Sequence, residues 1–173
     1  MQRDPALRED RSQIDRLFPL SVYHANPGKQ YIVLHEHWHE DIEILGIREG
    51  RAVFQVGHRH FYTEPGDILI VPGGELHSGY GLHQSHHRHD AVVFSPSLLR
   101  TGGADAAEVR FLDPLFRGRF SLPCYLRGGT EPGIRAGRAL EGLIESYERR
   151  RPGYELAVRG HLFVFLAAAV EAA

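Results

Sequence analysis

The chain has 173 residues, of which 42% are hydrophobic, and this is enough to build one core of ordinary size. The 20 basic and 22 acidic side chains give a net charge of −2, which argues against a surface that binds nucleic-acid phosphates. The single cysteine, Cys124, excludes an intramolecular disulfide and a cysteine zinc site. A charged N-terminus and short apolar stretches predict a cytoplasmic protein without a signal peptide or a membrane span.

The character of the sequence changes near residue 20. Residues 1–19 are polar and charged, with Ile14, Leu17 and Phe18 at helical spacing, and they predict an N-terminal arm. Residues 20–98 contain short runs of Val, Ile, Phe and Tyr between turn signals such as Asn-Pro-Gly and Pro-Gly-Asp. Roughly eight strands fit this segment, which predicts a mainly β domain built as an antiparallel barrel or sandwich.

Residues 99–173 predict a linker followed by a helical region. One helix is expected over about 131–150, because apolar residues form one stripe and basic residues followed by Pro-Gly end it. A second helix is expected from about Tyr154, and it is too apolar on all sides to stand alone in water. The sequence stops in mid-helix at Ala173 without a capping residue, so we expect the natural chain to be longer.

Histidine is concentrated in the strand-rich segment, which holds 11 of the 12 histidines. His37, His39 and Glu43 stand at odd positions, so on one strand their side chains would project from the same face. Such polar groups on an apolar face are costly unless they bond to each other or hold a metal. His77 follows an apolar run and a Pro-Gly turn, and an adjacent antiparallel strand can bring it into the same cluster.

These residues resemble the two motifs of the cupin superfamily. The first motif is His-x-His, three or four residues, Glu, six residues and Gly, and the second is Gly, five residues, Pro-x-Gly, two residues and His. The eight matching positions of this chain are His37, His39, Glu43, Gly50, Gly66, Pro72, Gly74 and His77. The resemblance implies a cupin (jelly-roll-like) barrel, followed in this chain by a C-terminal pair of α-helices.

In cupins that carry the full motif set, three histidines and one glutamate bind a divalent metal inside the barrel. By this resemblance the metal ligands are His37, His39, Glu43 and His77. Mixed imidazole and carboxylate ligands suit zinc, iron, manganese, nickel or copper. The alternative is a hydrogen-bonded polar cluster that holds no metal.

Three further residues are candidates for binding a small molecule in the barrel. Leu45 and Ile47 share the face of Glu43 and would form apolar walls, and His35 shares the parity of His37. Apolar walls with histidine and glutamate groups are compatible with a sugar, a small acid or an aromatic compound.

The remaining features receive structural interpretations. Trp38 has the opposite parity to the ligands and is expected outside the barrel or against the helices. His161 and Cys124 are expected to serve packing. The other histidines are expected on a turn and in a polar loop and strand start, where each set could chelate a metal but is more often exposed and solvated. They are His58 and His60 on the turn, and His83, His86, His87 and His89 in the loop and strand start.

A second resemblance covers nearly the whole chain. A polar arm, one cupin barrel, the segment VVFSPSLLR and two C-terminal helices resemble the N-terminal effector-binding and dimerisation domain of AraC-type transcription regulators. The resemblance implies a small-molecule effector in the barrel and a homodimer formed through the C-terminal helices. It also implies that DNA is bound only through a separate C-terminal domain that this sequence lacks.

A stand-alone mononuclear metal-dependent cupin enzyme, a dioxygenase or an isomerase, is the alternative function. The motif set would supply such an enzyme with its metal. We assign no catalytic residue, because no further acid or base stands out, and we therefore expect a sensor and not an enzyme.

Overall fold

The computed structural model describes residues 4–82, 86–100, 102–103 and 105–173. The strands, in chain order, are β1 (Leu20–Gly28), β2 (Ile32–His37), β3 (Ile42–Glu49), β4 (Ala52–Val56), β5 (Arg59–Thr63), β6 (Ile68–Val71), β7 (His77–Gly81), β8 (His87–Phe94) and β9 (Tyr125–Leu126). They form two antiparallel sheets, one of five strands in the order β1-β8-β3-β6-β9 and one of four in the order β2-β7-β4-β5. The two sheets make a cupin-like sandwich, which confirms the predicted fold class.

The two long helices follow the strands, as the sequence predicts. The helical elements are 3-10 turns at Pro5–Leu7 and Pro96–Leu99, a π-helical turn at Glu108–Leu112, and the α-helices α1 (Asp113–Phe116), α2 (Glu131–Arg149) and α3 (Tyr154–Glu171). Among the described residues, no helix is both long and apolar enough to cross a membrane.

The five-stranded sheet has two buried faces, because the sandwich covers one and the helices cover the other. Leu45 and Ile47 of β3 face the inside of the sandwich together with Phe54 of the opposite sheet. Ile44 alternates to the outer face and joins a larger apolar cluster with residues of α2 and α3. This alternation follows from the two-residue period of a strand, and it makes β3 a wall shared by both cores.

The two long helices close that outer core. Thr130 caps the start of α2, where its side-chain oxygen accepts a hydrogen bond from the Gly133 amide at 3.2 Å. Leu140 and Leu143 of α2 are buried against the sheet and α3. A side chain at Gly46 of β3 would collide with Leu140, so glycine at that position lets the helix approach the strand.

Turn geometry explains one of the motif glycines. Gly50 joins β3 to β4 with a φ of 77°, in the left-handed region that glycine adopts without strain. A Cβ at this position would also lie 2.1 Å from the carbonyl oxygen of His86. The hairpin therefore requires glycine here for both its backbone conformation and its close packing.

The arm lies on the barrel, and its helical spacing does not produce a helix. Residues 12–18 form turns and bends. Phe18 is buried with its ring 5.6 Å from that of Tyr154, whereas the side chain of Leu17 is 94% exposed. Helix formation in a short segment depends on burying one face of the helix. Of the three apolar side chains at helical spacing only Phe18 is buried in a core, so the segment does not form a helix.

A charged network connects the sheet to α2. His24 of β1 lies between two carboxylates, with Nδ1 at 2.6 Å from Asp90 Oδ1 and Nε2 at 2.5 Å from Glu148 Oε1. Arg48 of β3 donates to Asp90 Oδ2 at 2.5 Å and to Glu141 Oε1 at 2.7 Å. Hydrogen bonds to Asp90 and Glu148 raise the pKa of His24, because protonation lets both ring nitrogens donate.

We predict that His24 stabilises the fold below its pKa and ceases to do so above it. A histidine with a raised folded pKa stabilises the protein at low pH, and this contribution is lost as pH rises through the folded pKa. Because the His24 side chain is 54% exposed, we expect His24→Gln to lower the free energy of unfolding by less than about 1 kcal/mol at about pH 6 and by almost nothing at about pH 9. Urea unfolding measures both values.

The matched control is His60→Gln, which alters an exposed histidine of β5 on the other sheet. An effect of His24→Gln that is equal at both pH values, or larger at the higher one, would contradict the assignment of a protonated bridge.

Candidate metal centre

Three structural elements bring the four predicted metal ligands together. Glu43 lies on β3 between its cross-strand neighbours Val71 and Val93, and its side chain enters the sandwich. His37 ends β2 and pairs with His77 at the start of β7. His39 lies just beyond β2.

The ligand atoms of this cluster converge on a small volume. One nitrogen or oxygen from each of His37, His39, Glu43 and His77 lies within 4.8 Å of those of the other three. Glu43 Oε2 is 3.1 Å from His39 Nε2 and 2.8 Å from His77 Nε2. Glu43, His39 and His77 are each at most 2% exposed, whereas His37 is partly exposed. Three of the four candidate ligands are therefore buried, and His37 is the one nearest to solvent.

The outer nitrogens of all three rings are held by backbone carbonyls. His37 Nδ1 donates to His35 O at 2.8 Å, and His77 Nδ1 donates to Glu75 O at 2.9 Å. His39 Nδ1 donates to Asp41 O at 3.1 Å. This pattern places a proton on each Nδ1 and turns each Nε2 toward the cluster, which is the tautomer and orientation that a metal ligand requires. The donor set thus fits a divalent metal ion.

Burial and pairing set the protonation states of the cluster. Burial raises the pKa of Glu43, but hydrogen bonds from His39 and His77 outweigh it and the net pKa is lowered. Burial lowers the pKa of His77, but the hydrogen bond to Glu43 outweighs it and the net pKa is raised. The pKa of His37 is lowered, mainly by burial. A carboxylate paired with a protonated imidazole is a centre at which a metal ion can replace the proton.

The three predicted small-molecule residues occupy two environments. Leu45 and Ile47 are buried in the apolar interior of the sandwich. The side chain of His35 is exposed. The β2–β7 register shifts between Leu34 and His37, so alternation along β2 does not place His35 on the inner face with His37.

A cavity of about 440 Å³ lies beside the centre. Its walls are arm residues 6–9 and strand residues 33–37, and they include His35 and His37 but neither Leu45 nor Ile47. Of the four candidate ligands, His37 is the one that lines this cavity.

Two histidines that were expected to be exposed, in a loop and strand start, are buried in β8. His87 and His89 face inward from β8 and are 0% and 1% exposed, with Phe54 against both rings. His87 Nε2 lies 3.1 Å from His89 Nδ1. Burial, with His89 nearby, lowers the pKa of His87 to about 4, so both rings are neutral at neutral pH. The alternation of His87 and His89 with Arg88 and Asp90 was the sequence signal that could have predicted their burial on one face of a strand. His83 lies outside the described residues.

Trp38 contacts the N-terminal arm. Its indole Nε1 donates to the carbonyl oxygen of Asp4 at 2.8 Å, and the guanidinium of Arg8 lies 5.4 Å from the ring centroid. Trp38 was expected to pack outside the barrel or against the helices, and the segment that it contacts outside the barrel is the N-terminal arm. The alternation of residues along the strand predicted that Trp38 faces away from the metal ligands, but it could not predict which segment of the chain covers the Trp38 side chain.

Comparison with known proteins gives a family and several distant structural neighbours. The family described as AraC-like ligand binding domain matches residues 18–166. A search of the curated proteins finds no match. The chain is similar to oxalate decarboxylase from Bacillus subtilis, with 24% sequence identity and a TM-score of 0.39 over 45% of this chain and 22% of that chain.

Two other solved structures show comparable similarity. Vicilin from hazelnut, Corylus avellana, has 18% identity and a TM-score of 0.38 over 44% of this chain and 22% of that chain. A conserved protein of unknown function from Streptococcus pyogenes has 19% identity and a TM-score of 0.37 over 44% of this chain and 63% of that chain. The matched part of this chain spans only 22% of the length of the decarboxylase and of vicilin.

We predict that the metal-free protein depends on His77 for stability. His77→Ala removes one of the two imidazoles that pair with the buried Glu43 carboxylate, so we expect the free energy of unfolding to fall by about 3 kcal/mol. Chemical denaturation in the presence of a chelator measures this loss.

A second substitution separates the charge effect from a simple cavity. Adding Glu43→Gln to the His77→Ala protein should recover part of the lost stability, because a neutral amide is less costly to bury than an unpaired carboxylate. A double variant less stable than His77→Ala would contradict this account, and His58→Ala, at an exposed turn, serves as the control.

Proposed function

The chain belongs to the AraC-like ligand-binding domain family, and on that premise we propose that it is the effector-sensing and dimerisation domain of a cytoplasmic AraC-type transcription regulator. The observation that carries the proposal is the family match over residues 18–166, which includes the barrel and most of both long helices. Ligand-binding domains of this family are typically non-catalytic. Contact with DNA is assigned to a separate DNA-binding domain of the regulator.

A divalent metal ion is proposed as part of the sensing site. His37, His39, Glu43 and His77 would hold it, because their donor atoms converge and each histidine Nδ1 is fixed by a carbonyl oxygen. When bound, the ion would supply a Lewis acid to which an oxygen or nitrogen of the effector can coordinate.

The effector is proposed to enter through the cavity beside His37. The volume of about 440 Å³ suits a small molecule of the size of a sugar, a small acid or an aromatic compound. His35 lies on the wall of this cavity and can donate or accept a hydrogen bond there. Leu45 and Ile47 support the site from the apolar interior.

The wall shared by the two cores offers a route from the site to the helices. Glu43 points into the sandwich, while its neighbour Ile44 points into the core formed with α2 and α3. Leu140 of α2 packs directly on Gly46 of the same strand. An effector that favours one arrangement of β3 would therefore bias the position of α2, which is the physical requirement for coupling the two sites.

A second copy of the chain is proposed to cover the exposed apolar surface of α3. Side chains at Leu156 and Val164 of this helix are 75% and 50% exposed. An apolar cavity of about 610 Å³ between Phe111 and Phe163 extends the surface at the other end. A helix that is apolar on all sides is stable only when both faces are covered, which favours a homodimer through the C-terminal helices.

We predict about one metal ion per chain in protein offered iron, manganese, nickel or zinc and then freed of excess metal. Elemental analysis measures the ratio. His77→Ala should lose most of the metal because it removes a buried ligand, whereas His58→Ala should keep it. Wild-type protein that binds none of these ions would overturn the metal part of the proposal and leave an organic-effector sensor.

We also predict that the chain is a dimer that charge on α3 disrupts. Leu156→Glu and Val164→Glu each place a carboxylate on the proposed interface and should shift the protein to the monomer. Tyr62→Glu, which alters a residue 72% exposed on the four-stranded sheet, should leave the dimer intact. Sedimentation equilibrium distinguishes the two states, and a monomeric wild-type protein would refute this part of the proposal.

A further inference from the structure

A cavity of about 350 Å³ lies between the outer face of the five-stranded sheet and the segment that precedes β9. Ile42 of β3 and Ile70 of β6 contribute one wall, and Phe116 and Phe120 of that segment contribute another. None of the described residues that line this cavity lines the cavity beside His37. It is therefore a separate cavity, outside the barrel.

The segment that forms the second wall is held in shape by its own backbone. The amides of Arg119 and Phe120 donate to Pro114 O at 2.8 and 3.1 Å. Gly118 turns the chain with a φ of 66°, in the left-handed region that glycine adopts without strain. The rings of Phe116 and Phe120 pack against the outer core and are nevertheless only half-buried. The cavity thus presents a preformed apolar surface, and the hydrophobic effect favours a ligand that covers it.

Two loops of the barrel fix the polar edge of the cavity. Glu40, between β2 and β3, and Gly73, between β6 and β7, both line it. A Cβ at Gly73 would lie 2.2 Å from Glu40 O, so the two loops are in close backbone contact. The Gly74 amide also donates to His39 O at 2.6 Å. These contacts fix the backbone position of Glu40 at the edge of the cavity.

The polar groups of the cavity favour a ligand that donates a hydrogen bond. Glu40 is the one ionisable residue among the described residues that line it, and Ser121 is the other polar side chain there. A carboxylate accepts hydrogen bonds and does not donate them, and it repels an anion.

The nearby basic residues do not line the cavity. Arg117 and Arg119 donate to Asp113 at 2.6 and 2.8 Å. The guanidinium of Arg100 lies 5.5 Å from the centroid of the Phe116 ring. The charge on the lining side chains is therefore negative, which disfavours a ligand that carries a carboxylate or a phosphate.

We propose that this cavity is a second small-molecule site and that it binds a small aromatic molecule whose polar group donates a hydrogen bond, such as a phenol or an aromatic alcohol. The ring covers the apolar walls, and the donor bonds to Glu40 or Ser121 at the edge. The bound molecule contacts both the sheet and the segment before β9, so it ties the two together. The site is separate from the effector site proposed above and does not depend on a bound metal.

The first experiment maps the binding of benzyl alcohol to the isotope-labelled protein by NMR, with a chelator present to keep the protein metal-free. The amides of Gly73, Gly118 and Ser121, which line the cavity, should shift in a saturable way. The expected Kd is about 1 mM or tighter, which eight non-hydrogen atoms are able to supply. The amides of His35 and His37, beside the other cavity, should not shift.

The second experiment tests the charge argument with benzoate, which has the same ring and carries a carboxylate at neutral pH. Benzoate should bind at least about 5-fold more weakly than benzyl alcohol, because Glu40 repels its charge. Glu40→Gln keeps the size of the side chain and removes its charge. This variant should reduce the difference between the two affinities by about 3-fold or more.

The third experiment fills the cavity from its edge. Ser121→Trp adds an indole ring there without removing a buried side chain, because Ser121 is exposed. Its affinity for benzyl alcohol should fall by at least about 10-fold. Ser12→Trp, at an exposed serine that does not line the cavity, is the matched control and should bind as the wild-type protein does. Thermal unfolding shows whether both variants are folded.

The wild-type measurements decide the proposal even if Ser121→Trp does not fold. Saturable shifts at the cavity amides, with weaker binding of benzoate, support it. The absence of saturable binding of benzyl alcohol, or shifts confined to the residues beside His37, would overturn it. Benzoate that binds as tightly as benzyl alcohol would overturn the assigned ligand class, and equal binding by folded Ser121→Trp and Ser12→Trp would overturn the assigned cavity.

Discussion

The fold is organised around one buried carboxylate. Glu43 enters an otherwise apolar sandwich at 2% exposure, and an ionised group in that position is tolerated only with partners of opposite charge or strong donors. Two imidazoles meet it, and each is fixed from behind by a backbone carbonyl. The positions of His39 and His77 are therefore not interchangeable with other loop or strand-end positions, because the carboxylate requires both rings to face one point.

The same strand that holds this carboxylate also supports the helices. A strand offers every second residue to each face, so β3 contributes Leu45 to the inner core and Ile44 to the outer one. A charged network lies beside the outer core. Asp90 is hydrogen-bonded to His24 and to Arg48. His24 also bonds to Glu148 of α2, and Arg48 bonds to Glu141 of α2. The network is partly exposed, so it contributes less to stability than the buried cores, and it connects β1, β3 and β8 to α2.

Local signals made much of this molecule predictable. Turn residues and apolar runs located the strands, the apolar stripe and the Pro-Gly stop located α2, and motif spacing located the four ligand residues. The unpredicted parts depend on contacts between segments distant in sequence. The pairing of β9 with β6, the arm beneath Trp38 and the irregular β2 register at His35 have no signature within a short window of sequence.

Two buried histidines show that the position of one carboxylate determines the direction in which the pKa of a histidine shifts. His77 and His87 are both 1% exposed or less, and burial alone disfavours the charged form of each. The pKa of His77 is nevertheless raised, because Glu43 lies 2.8 Å from its ring. His87 faces another histidine, and its pKa is lowered to about 4. Residue type and burial are the same in the two cases, so the position of Glu43 determines which part of the interior attracts a cation and which part stays neutral.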